Sequence, residues 1–179
     1  TVRPNQLICM RPPQILVKNG LVKQEELWEM VRAVYGLKDA PLAWALKRDK
    51  DLSQVKVEIS EVGGKTCVFR QSEDDGNVWR IEVEEVNWKT IPIGYLLVYV
   101  DDIMVMGEIL TVKEVFRAIR VLWNTNKPEV VARPGMMTDD EIDMVQTLMF
   151  CGLQLTATKG GGLYIHQKSY IKSLLNKHK

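Results

Sequence analysis

The longest apolar stretch of the chain is residues 95–107 (YLLVYVDDIMVMG), where two adjacent acids separate two short hydrophobic runs. Runs of bulky and β-branched side chains of this length, without sustained polar alternation, are typical of strands buried on both faces. Asp is a favoured turn residue. The pattern therefore predicts a tight hairpin in which Asp101 and Asp102 lie where the chain reverses.

Four other segments have patterns that predict regular structure. Apolar residues at helical spacing over 112–123 predict a helix, and the capping-box pattern at 111–114 predicts that it opens at Thr111. Residues 67–71 and 78–86, on either side of the polar segment 72–77, predict two strands and a turn. A second hairpin is predicted for 150–156 and 163–166, joined by a triple glycine. The segment after it predicts an amphipathic helix, whose apolar face comprises Tyr170, Ile171, Leu174 and Leu175.

The remaining segments give weaker predictions. Residues 7–10 predict a short strand, followed by an extended proline segment and a turn at 18–20. Residues 27–34 fit a helix or a strand equally well. A helix that Asp39 can cap, with Pro41 in its first turn, is predicted to run to about Leu52, with a core face of Leu42, Ala45, Leu46 and Leu52 and with residues 47–50 outside. A short helix is predicted from residue 138 to Leu148.

Taken in order, these elements predict an α+β fold. The order of helices and strands favours a mixed antiparallel sheet with helices on one face, close to a ferredoxin-like βαββαβ arrangement.

Composition narrows the class of protein. The 179 residues are 46% hydrophobic and 26% charged, as in ordinary globular domains, and no apolar run reaches the roughly 20 residues of a membrane helix. The N-terminus has no signal-peptide pattern. Cys9, Cys67 and Cys151 are widely spaced and odd in number, which favours buried thiols in a reducing compartment. We therefore expect an intracellular protein, in the cytoplasm or nucleus, that is not secreted.

The net charge of +1 gives no global argument for nucleic-acid binding.

The acidic pair is the main candidate for chemistry. Burying charge is expensive, so carboxylates at the rim of an apolar hairpin usually have a cation partner. A hard divalent ion is the natural candidate. The alternative is that Asp101 and Asp102 are only turn residues.

Several motifs, in order, resemble the reverse transcriptase of copia-type LTR retrotransposons. Residues 35–44 (YGLKDAPLAW) are similar to that family's YGLKQAPRAW stretch, with Asp39 in place of Gln and Leu42 in place of Arg. Residues 99–102 (YVDD) are similar to the polymerase metal box. Residues 150–155 (FCGLQL) and 167–171 (QKSYI) resemble the closing FLGIEI and QKKYI elements, and residues 67–69 (CVF) fit the segment before the hairpin.

This resemblance implies a polymerase palm and an RNA-directed DNA polymerase activity. It implies that Asp101 and Asp102 are catalytic residues that bind Mg²⁺, or alternatively Mn²⁺, with Asp101 as ligand and Asp102 assisting or orienting. It also implies that one group of residues contacts nucleotide or template: Tyr35, Gly36, Leu37, Lys38, Pro41 and Tyr99. The implied partners are an RNA or DNA template–primer, deoxynucleoside triphosphates and other polyprotein domains (integrase and ribonuclease H), with no membrane.

The resemblance covers nearly the whole chain but leaves out one part of the family's site. Family members carry a further metal-binding Asp in a D-V-x-x-A-F strand, upstream of the segment that residues 7–10 resemble. We therefore expect residues 1–179 to be a partial palm with the region that follows it, without the N-terminal part of the domain and inactive alone. The alternative is a degenerate or co-opted fragment that binds nucleic acid, or that has only a structural role, without catalysis.

Overall fold

A computed structural model describes residues 7–31, 36–60, 63–84, 92–131 and 140–178. The chain forms two compact units, residues 1–52 and residues 53–179.

The first unit contains two short strands and two helices. Its elements are β1 (Cys9–Met10), α1 (Gln14–Lys18), β2 (Trp28–Glu29) and α2 (Ala40–Gln54), the last of which runs into the second unit. The predicted strand at 7–10 is confirmed as β1, which pairs antiparallel with β2. Residues 28–29 of the ambiguous segment are thus strand, while 32–35 lie outside the described residues. The five-residue α1 was not predicted.

The predicted helix before Leu52 is confirmed as α2, but its predicted core face is partly wrong. Leu52 is fully buried, whereas Leu42 and Leu46 are each 63% exposed and Arg48 is 5% exposed. At 100° per residue, Arg48 and Leu52 share one stripe of the helix, from which Leu42 and Leu46 are turned away. Arg48 is buried as an ion, with its guanidinium 2.8 Å from the carboxylate of Asp49.

The second unit is built on a five-stranded antiparallel sheet. Its strands follow one another in chain order: β3 (Lys56–Ile59), β4 (Lys65–Gln71), β5 (Val78–Val83), β6 (Gly94–Tyr99) and β7 (Asp102–Gly107). The predicted strand–turn–strand is confirmed as β4 and β5. Strand β3 was not predicted. Its register pairs Val57 with Cys67, so the alternate side chains of β3 join the buried face.

Helix α3 (Ile109–Leu122) packs against this sheet along both of its edge strands, β3 and β7, so the sheet curls around the helix. The predicted periodicity is confirmed, since Val112, Val115 and Ile119 are buried. The predicted start at Thr111 is wrong. The helix begins two residues earlier, with Glu108 at the N-cap, and Thr111 is itself buried.

Smaller sheets complete the second unit. Their strands are β8 (Glu129–Val131), β9 (Asp143–Val145), β10 (Thr147–Phe150), β11 (Leu153–Ala157) and β12 (Leu163–His166). Strand β8 pairs parallel with β9, and β10, β11 and β12 form an antiparallel meander. The short helix predicted up to Leu148 is wrong over its described residues, because pairing with β8 and β11 makes 143–150 extended. The hairpin of β11 and β12 is confirmed.

The chain closes with α4 (Lys168–Lys177). The predicted amphipathic helix is confirmed, but no residue of α4 is buried. Its apolar face is therefore exposed.

The protein is α+β, and the ranges that the structure describes contain an antiparallel curled sheet and four helices. Among the residues that the structure describes, strands β3 to β7 follow one another without an intervening helix, which differs from the predicted βαββαβ order. None of the helices in the described ranges is long and apolar enough to cross a membrane.

Candidate metal centre

The acidic pair lies at the turn between β6 and β7. The register pairs Tyr99 with Asp102, which leaves Val100 and Asp101 as the two turn residues. The predicted hairpin is therefore confirmed, with Asp101 in the turn itself and Asp102 as the first residue of the returning strand.

The turn holds Val100 in an unusual conformation. Its φ is +53°, whereas Asp101 does not have a positive φ, which is the pattern of a type II′ turn. Glycine normally occupies this position, and a β-branched residue there is strained. Strained residues of this kind cluster at functional sites.

Register decides which face of the hairpin each side chain joins. Leu96 and Val98 lie on the buried face, opposite Val105 and Ile103. Tyr99 and Asp102 face each other on the other side of the sheet, because directly paired residues point the same way. Both are exposed.

Asp101 is exposed, and no hydrogen bond or ion pair with another described residue engages its side chain. As far as the described part of the chain is concerned, both of its carboxylate oxygens are available to a ligand. Asp102 differs in this respect, because one of its oxygens already accepts a hydrogen bond.

The partner of Asp102 is a second tight turn. Strands β10 and β11 are joined through Cys151 and Gly152, whose φ values are +48° and +78°, as in a type I′ turn. The backbone N–H of Cys151 donates a hydrogen bond to Oδ2 of Asp102 over 3.1 Å. Strand β10 also lies beside β7, with Cα atoms within 8 Å of each other.

The same contact affects the thiol of Cys151. Its pKa is raised by desolvation, by a hydrogen bond to the Asp102 carboxylate and by the negative charge of that carboxylate. A thiolate next to a carboxylate is disfavoured, so the neutral thiol persists to higher pH. The expectation of buried cysteines holds only for Cys67, since Cys9 and Cys151 are exposed.

The two carboxylates suit a magnesium ion. Mg²⁺ is usually held by one or two protein carboxylates, and water and substrate phosphates complete its octahedral shell. Asp101 and Asp102 are adjacent, exposed and at the edge of the sheet, where phosphates have access. In the ranges that the structure describes, no group of three or more His, Cys, Asp and Glu side chains is arranged to hold a metal ion.

The other predicted site residues lie in the first unit, apart from Tyr99. Gly36 has a φ of +94° and belongs to the turn before α2, and Leu37 accepts the backbone N–H of Ala40. Lys38 is exposed, and Pro41 lies in the first turn of α2. Tyr35 is outside the described residues. The nucleotide- and template-contacting roles of this group remain predictions.

The turn that contacts Asp102 is not among the elements predicted from the sequence. Residues 150–156 were expected to form one strand, whereas the chain reverses at Cys151 and Gly152. A Gly between two short apolar runs (TLMF and LQL) was the available signal for a turn.

Comparisons of the chain with protein-family models, with curated proteins and with solved structures found no match.

Proposed function

We propose that this chain is part of the palm region of a copia-type reverse transcriptase, with Asp101 and Asp102 as its metal-binding residues. The observation that carries the proposal is the β6–β7 turn. This turn presents two adjacent exposed carboxylates at its tip, and one of them, Asp101, has no described partner. Val100, next to the two acids, has a strained positive φ, and strained residues of this kind cluster at functional sites.

The proposed reaction is RNA-directed DNA polymerisation in the full-length protein. The reaction would use two divalent ions about 3.5–4 Å apart. One would lower the pKa of the attacking 3′-hydroxyl of the primer, and the other would stabilise the leaving pyrophosphate. Mg²⁺ is the proposed ion, with Mn²⁺ as its substitute. Asp101 offers two oxygens and is the proposed ligand. Asp102, with one oxygen engaged by Cys151, is proposed to assist and orient.

The position of the helix layer supports a palm. Helix α3 packs along β3 and β7, while the side chains of Tyr99 and Asp102 lie on the exposed face of the hairpin. The template–primer is proposed to meet the hairpin on the side of the sheet that carries Tyr99 and Asp102. Gly36, Leu37, Lys38 and Pro41, with Tyr35, are proposed to contact the incoming deoxynucleoside triphosphate and the template. Integrase and ribonuclease H domains would be the partners within the polyprotein.

Primer extension by the full-length protein tests this function. We expect Mg²⁺-dependent extension of a DNA primer on an RNA template, and a fall of about a thousandfold in Asp101→Asn, because metal stabilisation of charge contributes several kcal/mol. Asp74→Asn is the matched control, since Asp74 is an exposed acid in the β4–β5 turn, and it should extend normally. Normal extension by Asp101→Asn would contradict the site.

Binding of the same template–primer, measured at several salt concentrations beside the extension assay, separates the proposed polymerase from its alternative. A protein that binds template–primer in a salt-dependent way but never extends it would be a nucleic-acid-binding fragment without catalysis.

A further inference from the structure

The tip of the β6–β7 hairpin contacts the tip of the β10–β11 hairpin through Asp102 and Cys151. Asp102 and Cys151 are 49 positions apart in the chain, yet the N–H of Cys151 lies 3.1 Å from Oδ2 of Asp102. The donor is a backbone group, so its position is set by the conformation of the β10–β11 turn and not by a side-chain rotamer. Hydrogen bonds from N–H groups to carboxylates are among the stronger ones.

The conformation of that turn depends on two residues in the left-handed region. Cys151 has a φ of +48° and Gly152 a φ of +78°. A type I′ turn requires positive φ at both central positions, so the two residues fix the direction of the Cys151 N–H together. A Cβ added at Gly152 would have no atom within 4 Å. A substitution there therefore acts on the backbone conformation and not through a clash.

We propose that the Cys151–Gly152 turn is a positioning element for the metal site, which holds Asp102 through the backbone N–H of Cys151. This inference rests on the proposed function of the acidic pair. It gives the two acids unequal roles, with Asp101 as the ligand that is free to move to the ion. Asp102 then links the β6–β7 tip to the β10–β11 tip. Groups that hold a metal-site carboxylate by a hydrogen bond typically contribute 10–100-fold to metal affinity.

The chain offers a matched pair of glycines for the test. Gly161 also has positive φ, at +83°, has equally open space around an added Cβ, and lies in the turn at the other end of β11. Gly152→Ala and Gly161→Ala therefore impose similar backbone strain on the same small sheet. Only Gly152 belongs to the turn that donates to Asp102.

The first measurement is the dissociation constant of Mn²⁺, added alone and followed by its electron paramagnetic resonance signal. We expect it to rise about tenfold in Gly152→Ala and to stay within about twofold of the wild type in Gly161→Ala. Gly152→Asn should restore most of the affinity, because Asn tolerates the left-handed region. Equal affinities in Gly152→Ala and Gly161→Ala would overturn the positioning role.

A second measurement does not depend on metal or on the stability of the glycine variants. Amide hydrogen exchange at Cys151 should be slow in the wild type and about tenfold faster in Asp102→Ala, since that variant removes the charged acceptor of the Cys151 N–H. Unchanged exchange would overturn the link itself. If Asp101→Asn binds Mn²⁺ as the wild type does, the proposed function fails, whatever the exchange at Cys151 shows. If Asp101→Asn loses binding while Gly152→Ala keeps it, only the positioning role fails.

Discussion

Gly94 and Gly107 lie opposite each other at the base of the β6–β7 hairpin, and a Cβ at Gly94 would lie 2.6 Å from the carbonyl oxygen of Met106. The same Cβ would lie 3.1 Å from Cδ1 of buried Ile81. A side chain at these positions would prevent the two strands from approaching each other this closely. The hairpin that carries the acidic pair is therefore tightly constrained at its base and strained at its tip.

Substitution of Gly94 should consequently destabilise the second unit. We expect Gly94→Ala to lower the free energy of unfolding by about 1–3 kcal/mol, the usual range for overpacking a well-filled site. Urea unfolding measures this directly. Gly160→Ala is the control, because a Cβ there meets nothing within 4 Å and its φ is not positive. Equal midpoints for the two variants would show that the hairpin base has room.

Val100 is strained at the tip of the β6–β7 hairpin, so replacing it by glycine should stabilise the protein. Val100→Gly should raise the free energy of unfolding by about 0.5–1 kcal/mol, because relief of a left-handed conformation outweighs the entropy cost of glycine. Val105→Gly, in the extended part of β7, should lower it. A loss of stability in Val100→Gly as large as that in Val105→Gly would indicate that Val100 is not strained.

Helix α3 supplies the core beneath the sheet. Ile119 is fully buried, so Ile119→Ala should lower the free energy of unfolding by about 2–5 kcal/mol. Val121, on the same helix, is 88% exposed, and Val121→Ala should change it by less than about 0.5 kcal/mol. Chemical denaturation of both variants checks the orientation of α3. Similar losses would mean that the helix is turned differently.

Local pattern predicted the parts of the fold that depend on neighbouring residues. The β6–β7 hairpin and the buried face of α3 were predicted because apolar spacing and turn residues occur together there. Pattern failed where tertiary contacts decide. The acidic segment 138–141 predicted a helix reaching Leu148, yet residues 143–145 and 147–150 are strands that pair with β8 and β11. Arg48 was expected outside, and its burial depends on which stripe of α2 faces inward.

The candidate site also has one part that local pattern predicts and one part that it does not. Asp101 and Asp102 were predicted from their position between two apolar runs. The contact of Asp102 with Cys151 joins residues 49 positions apart, and no local pattern encodes it.

That contact also makes a prediction about thiol reactivity. The Asp102 carboxylate is one of the groups that raise the pKa of Cys151, so Asp102→Asn should lower that pKa. Because the thiolate is the reactive form, alkylation by iodoacetamide should then reach half its maximal rate at a lower pH. Both proteins should carry Cys9→Ser, which removes the other exposed thiol. An unchanged midpoint would mean that desolvation alone sets the pKa.

The most direct test of the account is Mn²⁺ binding to this chain, because it asks only whether the acidic pair at the β6–β7 tip holds a divalent ion. Titration followed by electron paramagnetic resonance should show saturable binding, and Asp101→Asn should weaken it by at least about tenfold, as loss of a charged ligand requires. Asp74→Asn should bind as the wild type does. Binding that is absent in the wild type, or equal in Asp101→Asn and Asp74→Asn, would contradict a metal centre at Asp101 and Asp102.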